Sequence, residues 1–334
     1  MRKTTAPRLA APLLLLLLIG SGACSSSRAT APAPSRPAAL DRTTQLTQGP
    51  REISARNGAV TLRAHLTGGG PGAQVLFVLH GGPGISHHYT RALDKLASDK
   101  LAVLTFDQRG VGASTKVPPA QLTLDGYLGD IEALRRAIGA EKIALLGHSW
   151  GGLLGFIYAG RFPQRVRALV LVDAIPPRTI DWARGSVMLS NRVRRLRRAG
   201  LLGPRKDAVG TDCAPALLSI LPAYYYDPKH PAARSLAGSS CHEGVRGATF
   251  AALGMYDFRH LGKRIEAKTI VVQGWDDPFG RNNWIEIAKL MRPTALVSAK
   301  AFRRCGHVPW EECPDVFYRF VRAFLDTQAH AHAR

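Results

Sequence analysis

Ser149 lies in Gly147-His148-Ser149-Trp150-Gly151-Gly152, directly after the apolar run Ile143–Leu146 and directly before a stretch of helical character. A serine hydroxyl is almost never ionised near neutral pH, so a serine that attacks a carbonyl needs a base to take its proton. The glycines at 147 and 151 suit a serine held on a sharp strand-to-helix turn, where side chains would collide with the neighbouring strand and helix. The helix N-terminus also leaves unpaired backbone N–H groups near Ser149, ready for a developing oxyanion. Eleven histidines are present, and position selects His307 as the base. In Cys305-Gly306-His307-Val308-Pro309 it follows the last strand-like run and precedes the C-terminal helical pattern. His80 and His148 flank glycine motifs and read as structural or pocket-lining, while His330 and His332 belong to the tail.

The base needs an orienting acid, and Gly274-Trp275-Asp276-Asp277-Pro278 offers two carboxylates after the strand-like run Ile270–Gln273. Spacing from Gly274 favours Asp277; Asp276 reads as a cap of the turn or the next helix, and Asp173 stands as a third candidate. In His80-Gly81-Gly82-Pro83-Gly84, glycines let backbone N–H groups approach a substrate oxygen closely. Gly82 and Trp150 are the expected oxyanion donors, followed by Gly81. No CxxC pair or close His/Cys cluster calls for a metal, and the chemistry needs no cofactor.

These residues require a scaffold, and the apolar pattern supplies one. Gln74–Leu79, Leu101–Phe106, Lys142–Leu146, Ala168–Val172, Thr269–Val272 and Ala295–Ser298 read as strands whose unbroken Val/Leu/Ile content indicates burial on both faces. Tyr127, Ile131, Leu134 and Ile138 recur at helical spacing, as do apolar residues in Leu153–Phe162, Ile285–Met291 and Val316–Leu325. Arg51–Arg56 and Ala59–Leu66 flank Asn57-Gly58, which predicts an opening β-hairpin. The pattern predicts an α/β protein with a mostly parallel central sheet and one antiparallel edge. The core is expected over 50–174 and 268–327, with a long, basic, strand-poor lid inserted at 175–267. Within that lid, Trp182–Ala199 and Thr249–Leu261 are the helical candidates.

The N-terminus stands outside this scaffold. Arg2, Lys3 and Arg8 flank and precede the apolar run Leu9–Ile19, followed by Gly20-Ser21-Gly22-Ala23 and Cys24, which reads as a signal peptide over 1–23. Two processing routes stay open: lipidation of Cys24 as in a bacterial lipoprotein, or simple secretion into the periplasm or beyond. Residues 24–49, rich in Ser, Ala and Pro, read as a tether, and 328–334 as a disordered tail. Export suits the even count of remaining cysteines, Cys213, Cys241, Cys305 and Cys313, which allow two disulfides in three pairings. The pairs nearest in sequence, Cys213 with Cys241 and Cys305 with Cys313, are the preferred choice.

His80-Gly-Gly-Pro-Gly84, Asp107-Gln-Arg-Gly-Val-Gly-Ala-Ser114, Gly147-His-Ser-Trp-Gly-Gly152, Gly274-x-x-Asp277 and Gly306-His307 together resemble the α/β-hydrolase superfamily. Within it, the first three motifs are similar to the proline iminopeptidase family of serine exopeptidases, across about residues 50–325. The resemblance implies an α/β-hydrolase fold and release of N-terminal residues from small peptides through an acyl-enzyme. The elbow alone is shared with esterases, so a broad carboxylic-ester hydrolase is the alternative, and a non-catalytic surface lipoprotein that binds ligands is a reading from another class. The resemblance also implies acidic lid side chains for a substrate's amino terminus, yet Arg178–Asp207 carries nine bases against Asp181 and Asp207.

Composition narrows the partners. A 46% apolar content excludes disorder for the bulk of 334 residues, and no apolar run reaches the length of a membrane span. The formal charge of +21 is concentrated on the lid, where Arg192-Val-Arg-Arg-Leu-Arg-Arg198 presents a face for an anionic membrane surface or polymer. Nucleic acid is not expected for an exported chain without a recognisable binding module.

Overall fold

The computed structural model describes residues 51–330. The signal peptide, the tether, Cys24 and His332 lie outside the described residues.

Eight strands form one sheet in the order β1-β2-β4-β3-β5-β6-β7-β8. In chain order they are β1 (Arg51–Asn57), β2 (Val60–Gly68), β3 (Gln74–Leu79), β4 (Leu101–Phe106), β5 (Ile143–His148), β6 (Val166–Val172), β7 (Lys268–Gly274) and β8 (Leu296–Phe302). β1 pairs with β2 and β2 with β4 in antiparallel fashion; the remaining neighbours are parallel. The chain therefore adopts a mostly parallel α/β-hydrolase sheet with an antiparallel edge. The hairpin turn falls one residue later than expected, on Gly58 and Ala59, because Asn57 still pairs with Val60 while Gly58 takes the positive φ of +60°.

Every residue of β4 and β5 is buried, which is why their sequences show no polar alternation. Alternate side chains feed two separate cores. Phe77, Leu79, Leu104, Leu145 and Leu169 face one side, where helices α1 (Leu124–Ala137) and α2 (Trp150–Arg161) contribute Ile131, Leu134, Leu153 and Ile157. Leu76, Val78, Val103, Leu146 and Val170 face the other, closed by the 3-10 helix His87–Leu96 and the C-terminal helix Pro314–His330.

Between β6 and β7 the chain leaves the sheet to build α3 (Thr179–Arg198), α4 (Ala214–Leu218) and α5 (Glu243–Leu253). The second expected lid helix, Thr249–Leu261, is misplaced: α5 begins six residues earlier, where the His242 side chain caps the Val245 amide, and stops at Gly254. Gly254 has φ +56°, a conformation that favours glycine and ends the helix; Arg259–Arg264 then form only a 3-10 turn. After β7 come α6 (Asn283–Leu290), β8, α7 (Pro309–Glu312) and α8 (Pro314–His330). The expected tail from 328 is corrected for its first three residues, since α8 continues through His330 and the Gln328 carbonyl accepts from Gln74 Nε2 at 3.3 Å. Among the described residues no helix is long and apolar enough to cross a membrane.

Candidate active site

Parallel strands point their C-terminal ends to one edge of the sheet, so the loops after β3, β5, β7 and β8 meet there. Ser149 forms the turn between β5 and α2 at φ +54°, a strained conformation for a residue with a side chain. Its backbone is fixed on both sides: its N–H donates to Val172 O at 3.0 Å, and its carbonyl accepts from Gly152, Leu153 and Ile175. The flanking glycines are obligatory. A Cβ on Gly147 would stand 2.2 Å from Gly151 O, and one on Gly151 would stand 1.9 Å from Leu79 O.

His307 follows β8 and Asp277 follows β7. Asp277 Oδ1 lies 3.1 Å from His307 Nδ1 and also accepts the Phe279 N–H at 3.0 Å. A carboxylate only accepts, so Nδ1 carries the proton and Nε2 keeps its lone pair, the tautomer a general base requires. Phe279 and Tyr224 pack on the imidazole with centroids 4.8 and 5.6 Å away, and the His307 N–H donates to Tyr224 O at 2.7 Å. Asp276 turns away and faces Arg281 at 3.6 Å.

Asp173, at the end of β6, is drawn into the same cluster. Ligand atoms of Asp173, Asp277 and His307 all lie within 4.8 Å of one another, and all three residues are buried. Asp173 Oδ1 accepts the Gly274 N–H at 2.9 Å, whereas Oδ2 is buried without a partner of its own. Burial first, and then the charge of Asp277, push the Asp173 carboxyl well above the usual carboxylate range. Burial thus favours the neutral form of the Asp173 carboxyl.

The expected oxyanion donors separate. The Gly81 N–H is engaged by Tyr89 Oη at 2.5 Å, which corrects its placement among the free donors. The amides of Gly82 and Trp150 have no protein acceptor among the described residues. Trp150 is anchored through its indole, which donates to Gln108 Oε1 at 2.8 Å; Gln108 Nε2 in turn donates to His80 O at 2.9 Å. Gln108 thus ties the glycine loop to the elbow.

Sequence reasoning missed Tyr89 and the part played by His148. Tyr89 Oη lies 2.8 Å from His148 Nδ1, and His148 Nε2 lies 2.8 Å from His307 O. A carbonyl can only accept, so Nε2 donates and Nδ1 receives the Tyr89 proton. Burial, then the neighbouring His307, hold His148 well below its ordinary value and keep it neutral. One directed chain therefore links the loops at Gly81, Ser149 and His307. The Gly-His-Ser spelling singles out His148, but Tyr89 lies in a 3-10 helix with no motif of its own.

Ser149 and His307 open on one cavity of about 470 Å³, roofed by Trp182, Leu189, Ile220, Leu221 and Phe279. The carboxylate on its wall is Glu243, paired with Arg246 at 3.3 Å. Two disulfides brace the rim: Cys213–Cys241 joins lid segments beside the cavity, and Cys305–Cys313 closes the loop that carries His307. Glu312, within that loop, accepts the Gly306, Tyr226 and Asp227 amides.

A parallel sheet, a strained serine turn and a buried His–Asp pair at the strand ends are the architecture of the α/β-hydrolase fold, and this chain is similar to the hydrolases built on it. The family model described as alpha/beta hydrolase fold matches residues 74–200. The chain is 27% identical to the proline iminopeptidase of Lactobacillus helveticus strain DPC 4571 over 274 residues, covering 75% of this chain and 89% of the relative. It is 38% identical to that of Clostridium botulinum over 103 residues, or 30% and 35% of the two chains. Among solved structures, proline iminopeptidase of Mycobacterium smegmatis superposes with a TM-score of 0.66 at 21% identity, covering 84% of this chain and 99% of that one, which speaks to the fold.

Proposed function

We propose that the protein is a serine hydrolase that works through an acyl-enzyme. The observation that carries this reading is the His307–Asp277 pair at 3.1 Å facing the same cavity as a serine held at positive φ. Ser149 Oγ attacks the substrate carbonyl as His307 Nε2 takes its proton, and the oxyanion forms against the Gly82 and Trp150 amides. His307 then returns the proton to the leaving amine or alcohol. Water, deprotonated by the same imidazole, releases the acid and restores the serine. Asp277 holds the imidazole tautomer throughout.

Resemblance to the iminopeptidases supports an exopeptidase that removes N-terminal residues from small peptides. A second reading, a carboxylic-ester hydrolase, is favoured by the cavity itself: its roof is apolar and Glu243 is paired with Arg246, leaving less acid to hold a free ammonium group. A fluorophosphonate probe tests the common mechanism. The native protein is expected to be labelled and Ser149→Ala to remain unlabelled; an unlabelled native protein overturns the assignment. Prolyl and alanyl amides with free or blocked α-amino groups, set beside short acyl esters, then divide the two readings.

We further propose that it acts outside the cytoplasm, anchored through Cys24 or secreted. The signal-like N-terminus and the two disulfides support this. Mass measurement of the mature N-terminus distinguishes the two routes.

A further inference from the structure

The lid helix α3 has two unlike faces. Trp182, Ser186, Leu189 and Ser190 line the catalytic cavity. On the other side, Ile180, Arg184, Val187, Met188, Asn191, Arg194, Arg195 and Arg198 recur with the helical repeat, by steps of three and four broken by the adjacent pairs 187/188 and 194/195, which places them on a single stripe. All eight are exposed, and none is acidic. Ile180, Val187 and Met188 expose 45, 58 and 47% of their surface, unusual for apolar residues gathered on one helix. Of the four arginines, Arg184 shares Asp181 with Arg178 at the helix start, and Arg194 bonds only to Asn191. Arg195 and Arg198 make no ion pair among the described residues. Gly185 and Leu196 are the buried residues of α3, and within the stripe Arg184, Met188, Asn191 and Arg195 also line one side of a groove against Asp276, Gly280 and Glu286, leaving Ile180, Val187, Arg194 and Arg198 beyond it.

We infer that this stripe docks the protein on a bilayer bearing anionic headgroups, with the arginines at the phosphates and Ile180, Val187 and Met188 entering the layer beneath. Charge complementarity selects an anionic partner. The interleaved apolar side chains select a bilayer over a soluble polyanion, because only a bilayer offers an apolar phase directly under its charges. Docking in this orientation sets the lid between the membrane and the cavity it roofs. The inference stands apart from the hydrolase reading, since binding needs none of the catalytic groups.

The test is co-sedimentation of the full chain carrying Cys24→Ser, so that no acyl group at that position contributes. Vesicles of phosphatidylcholine alone are compared with vesicles containing phosphatidylglycerol. Stronger binding to the anionic vesicles is expected, together with a loss of roughly 100-fold in partition for Arg194→Glu/Arg195→Glu/Arg198→Glu. Val187→Ser/Met188→Ser should weaken vesicle binding while leaving retention on heparin unchanged. Ser149→Ala should bind as the parent does, which separates a failure here from a failure of the proposed chemistry. Equal binding to both vesicle types, or an unaffected arginine variant, overturns the docking surface. Vesicle binding unaffected by the apolar variant overturns the bilayer as the partner.

Discussion

The rim of the sheet and the lid above it are built on opposite terms. At the rim, Ser149, Asp173, Asp277, His148 and His307 are all buried, and each is fixed by backbone amides, carbonyls or another ring within hydrogen-bond reach. On the lid, α3 spans twenty residues and buries two of them. The contrast teaches that the reacting groups belong to the core, whose geometry leaves little freedom. Helix α3 turns one face to the cavity and leaves the other exposed, so its outer stripe is available to set where the protein sits.

The comparison is broken most directly at the rim. Asp277→Asn presents an amide to His307 Nδ1 and favours the wrong tautomer, so kcat should fall by about 10⁴-fold with the fold retained. Steady-state kinetics on the preferred ester or amide, with circular dichroism as the control, measures this. Gly151→Ala should cost more than about 4 kcal/mol, because the added carbon meets the carbonyls of Leu79 and His80, which are main-chain atoms that cannot swing aside. Denaturant unfolding, or the yield of soluble protein, checks it.

A lid change should act differently. Replacing Cys213 and Cys241 by Ser opens a loop of 28 residues and should cost about 3.5 kcal/mol in denaturant unfolding. Under folding conditions it should raise KM for bulky substrates, while the rate of labelling by a small fluorophosphonate stays unchanged. Equal losses in labelling would erase the distinction between the two regions.

The smallest expected effect lies between the two acids. Burial raises the Asp173 pKa in the folded state, so folding retains a proton that the unfolded chain gives up once pH exceeds the ordinary carboxylate range. The contribution to stability from Asp173 is thus present in acid and lost as pH rises toward the folded value. Asp173→Asn keeps the shape and the acceptor for the Gly274 N–H but has no proton to retain. Its Tm should exceed that of the native protein at about pH 8 and fall back toward it at about pH 4. Turnover should change by less than about threefold. A large loss of activity would mean that Asp173 works as a charge.

Much of the rim was legible in the residues because local pattern and topology coincide there. A glycine-flanked serine between an apolar strand and a helix admits few other conformations. Parallel strands then bring the following loops to the same edge, whatever lies between them in the chain. The lid was less legible. Its helices bury few residues, so their periodicity is weak, and α5 was displaced by the His242 cap and by Gly254, neither of which leaves an apolar signature.

By itself the sequence determined the sheet, the serine turn and the loops in which a base and an acid would be found, since each depends on neighbours a few residues away. The tertiary structure decided which groups face one another. It turned Asp277 inward and Asp276 toward Arg281, set Asp173 beside Asp277 across more than a hundred positions of chain, and occupied the Gly81 amide with Tyr89. Spacing from Gly274 pointed to Asp277, but no spacing along the chain records its contact with His307 or its nearness to Asp173, which join loops remote in sequence.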